Sequence, residues 1–166
     1  MRVEGFPPIE APGARLLILG SMPSPASLAA GQYYGHPRNA FWWIMGELFG
    51  AGPELPYQER CRRLTAAGVA VWDSLRACVR PGSLDQAIEP ASEVANDFAA
   101  LFERQPGIRR ILFNGARAEQ AFRRHSLPAL ARLPRPPVMR RLPSTSPAMA
   151  ALRREEKLAR WRAALD

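Results

Sequence analysis

The chain has 166 residues, a length that fits one globular domain with a buried core. Hydrophobic residues make up 47% of it and charged residues 23%, which excludes an intrinsically disordered chain. The unusual quantity is the net charge of +8 at pH 7, and every basic residue except Lys157 is an arginine.

Short apolar runs alternate with longer amphipathic segments along the chain. The pattern predicts strands at residues 15–20, 68–73, 110–115 and 138–142. It predicts helices at residues 40–49, 56–67, 116–124 and 148–165, and one that starts at Ser92 or Asn96 and runs to Gln105. We expect Asn39 to cap the first of these helices and Gly50 to follow its last residue.

This alternation predicts an α/β fold, namely a three-layer α/β/α sandwich around a short, mostly parallel four-stranded sheet. We expect a single domain over residues 1–166. Ligands of such sheets bind at the carboxyl ends of the strands. The segments expected at those ends are residues 20–24, 73–74, 114–115 and 143–147.

The turn at residues 20–24 lacks both glycine-rich phosphate-binding patterns, and alone it is more typical of a tight connection. The run from Tyr33 to Trp42 combines tyrosines with His36, Arg38 and Asn39 in a loop that leads into a helix. Aromatic faces stack on bases, arginine binds phosphates, and asparagine can donate to and accept from a base edge. Core packing is the better interpretation for the apolar residues at helical spacing, namely Phe41, Trp42, Ile44, Met45 and Leu48.

The basic residues are concentrated in the second part of the chain. Residues 1–103 carry 8 basic and 11 acidic side chains, a net charge of −3, whereas residues 104–166 carry 15 and 4, a net charge of +11. A basic half favours a polyanionic partner, nucleic acid first and a membrane surface second. Compositional bias explains the excess equally well, because Arg, Ala, Pro and Gly are all plentiful, so both interpretations stay open.

The chain has few residues that could hold a metal. Cys61, Cys78, His36 and His125 show no close-spaced pairing for a structural zinc site, and an iron–sulfur cluster needs four thiolates. We therefore expect no metal, no iron–sulfur cluster and no other cofactor. The first residues show no signal-peptide pattern, and no run reaches about 18 apolar residues, so we expect a cytoplasmic protein that does not enter a membrane.

Several segments, taken in chain order, resemble a known family. They are residues 20–24 (GSMPS), 33–42 (YYGHPRNAFW), 71–75 (VWDSL), 113–115 (FNG) and 142–147 (LPSTSP). Together they resemble the uracil-DNA glycosylase superfamily over about residues 15–162. More narrowly they are similar to its hypoxanthine-DNA glycosylase branch, also called DNA-deoxyinosine glycosylase. The His-Pro-x-Asn-x-Phe-Trp core is shared with the mismatch-specific uracil/thymine branch.

Two positions depart from the wider superfamily. Its first motif usually has Asp or Asn before the proline to position the attacking water, and here that position is Met22. Its second motif usually begins with a histidine that stabilises the O2 of a departing pyrimidine, and here that position is Leu142. Hypoxanthine has no O2, so both losses favour a purine. The resemblance implies that Asn39 takes the water-positioning role.

The resemblance implies a monofunctional DNA glycosylase. Such an enzyme, expected to be a monomer, flips a deaminated base out of double-stranded DNA and hydrolyses its N-glycosidic bond. The expected base-binding residues are Gly20, Ser21, Met22, Tyr34, His36, Phe41, Trp72, Asp73, Ser74 and Asn114. The expected DNA-binding residues are Ser24, Arg38, Ser144, Thr145, Ser146, Met149, Arg141 and Arg153.

Purely structural roles stay open for several of these residues: Asn39 as a helix cap, His36 as a hydrogen-bonding loop residue, Asn114 in the turn after its strand, and Asp73 at a strand end. We expect Ser144 and Ser146 to precede the final helix with free N–H groups for a phosphate, and Met149 to act as a wedge in the base stack.

The neighbouring arginines at 140–141 and 153–154 are expected to meet phosphates. No lysine lies near the motifs in sequence, so Schiff-base lyase chemistry is not expected. Two alternatives remain. One is a mismatch-type uracil/thymine-DNA glycosylase, and the other is a non-catalytic nucleic-acid-binding domain that uses the basic half alone.

Overall fold

The computed structural model describes residues 1–166 and has seven strands and six α-helices. The strands are β1 (Arg2–Glu4), β2 (Leu16–Gly20), β3 (Val69–Asp73), β4 (Leu75–Val79), β5 (Val94–Ala95), β6 (Arg110–Asn114) and β7 (Val138–Leu142). The helices are α1 (Pro25–Ala30), α2 (Phe41–Phe49), α3 (Tyr57–Ala66), α4 (Phe98–Arg104), α5 (Ala116–His125) and α6 (Arg154–Ala163). Short 3₁₀ turns cover residues 85–87, 90–92 and 127–132.

The four predicted strands form one parallel sheet in the order β3-β2-β6-β7. Every residue of β2 and β3 is buried, which explains their almost continuous apolar sequences, because a parallel sheet is covered on both faces. The register places Gly20 opposite Asp73, and Asn114 opposite Leu142. The carboxyl ends that carry the predicted motifs therefore share one edge of the sheet.

Helices cover the sheet and complete the predicted α/β/α arrangement. Helix α5 contacts β2, β6 and β7. Helix α2 contacts α3 and α6; α3 in turn contacts β3, and α6 contacts β7. The interior includes a chain of aromatic contacts in which the Phe122 ring lies 5.0 Å from Phe98 and 5.6 Å from Phe113, centroid to centroid. No helix is long and apolar enough to cross a lipid bilayer.

A second, antiparallel sheet of order β1-β4-β5 was not predicted. Its strands are two to five residues long, too short for a clear alternating pattern. Only Ser74 separates the end of β3 from the start of β4. The Asn96 amide donates to the carbonyls on both sides of it, those of Asp73 (2.7 Å) and Leu75 (3.1 Å). These bonds fix the direction in which the chain leaves the strand end at Asp73.

Helix α1 was also missed because it has only six residues, although its signals are conventional. The Ser24 hydroxyl accepts a hydrogen bond from the Ser27 N–H at 3.1 Å, Pro25 occupies the first turn, and Gly31 follows in the left-handed conformation with φ 66°. Ser24, predicted to bind DNA, is therefore the cap of this helix. The buried Ser27 hydroxyl in turn accepts from the Gly35 N–H at 2.8 Å and holds the tyrosine-containing loop.

The predicted start of the final helix at residue 148 is wrong, since α6 begins at Arg154. Residues 143–153 form an irregular loop instead. Local hydrogen bonds explain the difference: the Ser144 hydroxyl accepts from the Ser146 N–H (3.2 Å), and the Ser146 hydroxyl accepts from the Ala148 N–H (3.1 Å). Serine side chains that bond to nearby backbone in this way compete with helix formation.

Candidate active site

The carboxyl ends of β2 and β3 meet at a point where only glycine fits. A Cβ atom at Gly20 would lie 2.5 Å from Asp73 Oδ1 and 2.8 Å from Tyr34 Oη. Non-bonded carbon and oxygen atoms essentially never come closer than 3.0 Å, so a side chain at Gly20 would displace both groups. The absence of a side chain lets two polar groups converge on the sheet edge, which we call the strand-end site (Gly20, Tyr34, Asp73).

The two adjacent tyrosines have opposite environments. Tyr33 is fully bonded, because its hydroxyl donates to the Pro7 carbonyl at 2.8 Å and its N–H donates to the Tyr57 hydroxyl at 3.0 Å. Tyr34 is the only non-glycine residue with positive φ (55°), and its hydroxyl is buried without a hydrogen-bond partner. Strained backbone and an unpaired buried polar atom in one residue are typical of functional sites.

Tyr34 and Phe41 form a stacked pair with centroids 3.9 Å apart and planes inclined by 19°. Phe41 is fully buried, whereas Tyr34 is partly exposed and lines a cleft beside the sheet edge. Both rings were predicted to bind a base. In the free protein Tyr34 is the ring that a ligand in the cleft would meet, and Phe41 supports it from behind.

Asp73 is 3% exposed, and its buried Oδ2 atom has no hydrogen-bond partner. Burial and then the nearby Asp85 carboxylate raise the pKa of Asp73 to about 8, against a smaller opposing effect of Arg80. Asp85 in turn accepts a hydrogen bond from the Ser21 hydroxyl at 2.6 Å. The Asp73 carboxyl therefore stays protonated at neutral pH, where it can donate a hydrogen bond as well as accept one.

Asn39 lies one residue before the N-cap of α2, which is Ala40, so the predicted cap position is wrong by one residue. Its Oδ1 atom accepts from the Phe41 N–H at 2.9 Å, and its backbone N–H donates to the His36 carbonyl at 3.0 Å. The Nδ2 amide makes no hydrogen bond within the protein, and Asn39 lines the cleft. The residue thus combines a capping role with a free amide that faces a ligand-sized space.

The loop from Pro143 to Met149 is held firmly against this region. Thr145 joins three elements: its N–H donates to Asn114 Oδ1 (2.9 Å), its hydroxyl accepts from Asn114 Nδ2 (3.0 Å), and its carbonyl accepts from the Ala40 N–H (3.0 Å). The side chain of Thr145 is buried and positions the loop, and the predicted contact of this residue with DNA stays a prediction. The Asn114 side chain also lies beside the Tyr34 hydroxyl; burial raises the pKa of Tyr34, and this interaction opposes that larger effect.

The prediction of free N–H groups in this loop holds for Ser144 and is wrong for Ser146. The Thr145, Ser146, Ala148 and Met149 N–H groups all donate within the protein. Helix α6 adds two further ties, from Trp161 Nε1 to the Pro143 carbonyl (3.1 Å) and from Lys157 Nζ to the Ser146 carbonyl (3.2 Å). The loop therefore presents the Ser144 N–H, serine hydroxyls and side-chain cations to a phosphate.

A cleft of about 610 Å³ lies between the Tyr34–Ala40 segment and this loop. Its lining includes the predicted residues His36, Arg38 and Met149, and it contains no acidic side chain. Four cations line it: Arg38, Arg60, Arg154 and Lys157. This cationic cleft, as we call it, favours an anionic ligand. Lys157 and Arg60 were missed by sequence reasoning because they lie outside the motifs.

Other predicted base-binding side chains belong to the interior. Met22 packs with Leu75, Cys78, Ile88 and Ala121 in a small apolar cluster. The Trp72 indole donates to the Phe6 carbonyl at 3.0 Å, and the Ser74 hydroxyl donates to the Ala118 carbonyl at 2.7 Å. These side chains are buried in the free protein, and their predicted contact with the base stays a prediction.

The remaining predicted DNA-binding residues lie at the surface. Arg141 pairs with Glu119 (3.5 Å) and Arg153 with Glu156 (3.2 Å), and Arg38 is exposed beside His36, whose Nδ1 accepts from the Arg38 N–H at 3.1 Å. Exposed pairs of this kind are weak and exchange readily for phosphate contacts. The structure contains no group of three or more His, Cys, Asp or Glu side chains arranged to hold a metal ion.

Comparison with known proteins agrees with this geometry. The family described as the uracil DNA glycosylase superfamily matches residues 7–165. A protein of Methanosarcina barkeri named hypoxanthine DNA glycosylase is 36% identical over 71% of this chain and 74% of its own length. A protein of the same name from Methanosarcina acetivorans is 38% identical over 69% and 72%. The solution NMR structure of a candidate uracil DNA glycosylase from Methanosarcina acetivorans superposes with a TM-score of 0.75, at 32% identity over 98% of both chains.

Proposed function

Because this chain belongs to the uracil DNA glycosylase superfamily and is a DNA glycosylase, we propose that the base it releases is hypoxanthine. The substrate is double-stranded DNA that carries this deaminated base, and the enzyme acts as a monomer without a cofactor. Two relatives named hypoxanthine DNA glycosylase support the choice of base. The product is an abasic site, left by hydrolysis of the N-glycosidic bond.

The observation that carries this proposal is the pair of unpartnered buried atoms, Tyr34 Oη and Asp73 Oδ2, in the strand-end site. Folded proteins bury few polar atoms without partners, so such a pair favours a site whose partners arrive with the ligand. Hypoxanthine offers O6 and N7 as acceptors and N1–H as a donor. A protonated Asp73 carboxyl complements that edge, because it presents one donor and one acceptor side by side.

Entry of the base into the strand-end site requires the Tyr34 ring to move. In the free protein this ring stacks on Phe41, and its hydroxyl lies with the Asp73 carboxyl beside Gly20. A flipped purine that displaces Tyr34 stacks on an aromatic ring and forms hydrogen bonds with the two unpartnered oxygens. The cost of flipping is a few kcal/mol and is least for a poorly paired base, which contributes to the choice of damaged nucleotides.

Asn39 orients the attacking water in the proposed mechanism. Its Oδ1 atom is already fixed by the Phe41 N–H, and its second lone pair can accept a hydrogen bond from water. The water then keeps a lone pair directed at the sugar C1′. Because a carboxamide is not a base at neutral pH, the role of Asn39 is orientation of the water and not proton removal.

Negative charge develops on the purine as the glycosidic bond breaks. A neutral Asp73 stabilises this charge by donating to O6 or N7, whereas an ionised Asp73 would repel it. Pyrimidine-specific residues are lacking at the corresponding positions, since Met22 and Leu142 are both buried apolar side chains. These features support a purine substrate over uracil.

The test is a panel of labelled duplexes that each contain hypoxanthine, uracil, xanthine or a G·T mismatch. After incubation with the protein, alkali cleaves any strand that has lost a base. We expect cleavage of the hypoxanthine duplex at a rate at least tenfold above the others. Faster cleavage of the uracil or mismatch duplex would assign the protein to another base, and no cleavage of any duplex would refute the proposal.

A further inference from the structure

Lys157 is the only lysine of the chain, and it is 4% exposed. Its Nζ atom makes one hydrogen bond within the protein, to the Ser146 carbonyl at 3.2 Å. None of the ion pairs of the chain includes Lys157. An ammonium group has three donors, so Lys157 keeps two unused donors and a buried charge without a counter-charge.

Most of the other charged groups around Lys157 already have partners. On α6, Glu155 pairs with Arg154 at 3.3 Å and Glu156 pairs with Arg153 at 3.2 Å. Arg154 also lies over the Trp43 ring at 4.1 Å. Arg60, across the cationic cleft, donates to the Leu55 carbonyl at 2.9 Å and lies over the Trp42 ring at 5.1 Å. The Arg38 side chain also has no partner, but it is exposed to solvent. Lys157 is therefore the only buried cation of the cleft, and it has no counter-charge.

Backbone bonds place Lys157 close to the proposed reaction centre. Lys157 donates to the carbonyl of Ser146. The preceding residue, Thr145, accepts a hydrogen bond from the N–H of Ala40, which is the residue after Asn39. The path consists of two hydrogen bonds, of 3.2 and 3.0 Å, and two chain steps of about 3.8 Å each, and Lys157 and Asn39 line the same cleft. An anionic group next to the nucleotide that Asn39 meets is within reach of the ammonium.

We propose that Lys157 binds one phosphodiester of the DNA strand that carries the flipped nucleotide, and that this anion supplies the missing counter-charge. The inference rests on the proposed function, since it takes DNA as the ligand of the cleft. In the free protein burial lowers the pKa of Lys157. A bound phosphate favours the charged form and reverses that effect. The strongly hydrated, compact ammonium suits a single phosphate oxygen better than a bulkier guanidinium in this buried position.

The test measures binding to a duplex that contains a tetrahydrofuran analogue of the abasic site, so that no base release is needed. Lys157→Met keeps the length of the side chain and removes the charge. We expect its Kd to rise about tenfold and the slope of log Kd against log salt to fall by about 0.9. Arg109→Met removes an exposed charge at the opposite end of the sheet, just before β6, and should change neither quantity.

A set of duplexes, each with one neutral methylphosphonate near the lesion, identifies the phosphate. At one position the substitution should weaken binding of the original protein about tenfold and leave binding of Lys157→Met unchanged. Thermal unfolding shows that the variant is folded, so a change in Kd reports the lost charge. This readout separates the two proposals, because binding to the analogue can be measured even if hypoxanthine is not released.

Three results would overturn the inference. The first is an equal effect of every methylphosphonate on both proteins, and the second is an unchanged salt slope. The third is a covalent adduct with natural abasic DNA that borohydride traps in the original protein and not in Lys157→Met. That result would make Lys157 a nucleophile instead of a phosphate ligand.

Discussion

The Asp73 carboxyl and the Tyr34 hydroxyl both border the space that a Cβ atom of Gly20 would occupy, and each contributes a buried oxygen without a hydrogen-bond partner. An unpaired buried polar group destabilises a protein by about 1–3 kcal/mol. The folded chain therefore tolerates two unfavourable atoms at the edge of its most buried strands. Such a loss of stability is expected where a site is shaped for a ligand that completes its hydrogen bonds.

Tyr34→Phe is expected to stabilise the free protein and to slow base release. The substitution removes an unpartnered buried hydroxyl, so the free energy of unfolding should rise by about 1 kcal/mol. Tyr33→Phe is the matched control, because its hydroxyl donates to Pro7 and its loss should lower that free energy by about 1 kcal/mol. Urea unfolding measures both changes. Equal destabilisation by the two substitutions would mean that the Tyr34 hydroxyl has a partner in solution.

We expect the rate of base release to fall at alkaline pH because Asp73 ionises. Since its pKa is raised to about 8, the carboxyl loses its donor above that pH, and release of hypoxanthine should fall. Asp73→Asn keeps a donor and an acceptor in the same place, so it should retain most activity at pH 7 and lose less of it between pH 7 and 9. Any ionisation of the base itself is common to both proteins and cancels in the comparison. A pH profile with the same alkaline limb in both proteins would contradict a neutral, donating Asp73.

The same group makes stability depend on pH. The pKa of Asp73 in the folded chain lies above its ordinary value of 3.8, so the folded state binds this proton more tightly than the unfolded state. Its favourable contribution is complete below about pH 4 and is lost as the pH rises to about 8. The unfolding free energy of the original protein, relative to that of Asp73→Asn, should therefore fall across this interval. Urea unfolding at a series of pH values measures the difference, and a constant difference would contradict the assignment.

Asn39→Ala should remove base release and cost only moderate stability. Loss of the bond from the Phe41 N–H should lower the free energy of unfolding by about 1 kcal/mol, as for other helix caps. Loss of the water-orienting group should lower the single-turnover rate at least a hundredfold. Asp97→Ala removes the cap of α4, where Asp97 accepts from the Ala100 N–H at 3.1 Å, and should cost the same stability with no loss of rate. Equal rates in the two variants would reduce Asn39 to a cap.

The sequence was sufficient to predict the parallel sheet, because its four strands are apolar runs that end in polar or glycine residues at one edge. It also located Asn39, Tyr34 and Asp73, since each lies in a motif. It could not show that Met22 and Trp72 turn inward, because a motif fixes the backbone position of a residue and not the direction of its side chain.

Lys157 shows a second limit of sequence reasoning. It lies 118 residues after Asn39, and only the packing of α6 against the Pro143–Met149 loop brings both residues to one cleft. The one available signal was its identity, a lysine in a chain that uses arginine everywhere else. The expectation that no lysine lies near the motifs is therefore correct for the sequence but wrong for the folded chain, in which Lys157 lines the same cleft as Asn39.

Thr145→Val tests whether the loop is held in place for DNA and not only for stability. The substitution keeps the shape of the side chain but removes the hydroxyl that accepts from Asn114 Nδ2, so a buried amide loses its partner. We expect a loss of about 1–3 kcal/mol in the free energy of unfolding. Thr65→Val is the control, since its hydroxyl bonds only within α3, to the Arg62 carbonyl at 3.1 Å.

The kinetic expectation for Thr145→Val follows from the elements that Thr145 joins. With one of its two hydrogen bonds to Asn114 lost, the loop positions Ser144 and Ser146 less well against DNA. The Ala40 N–H still bonds to the Thr145 carbonyl and keeps Asn39 in place. KM for the hypoxanthine duplex should therefore rise about tenfold, with kcat changed less than threefold. A fall in kcat at unchanged KM would show instead that the loop sets the position of Asn39.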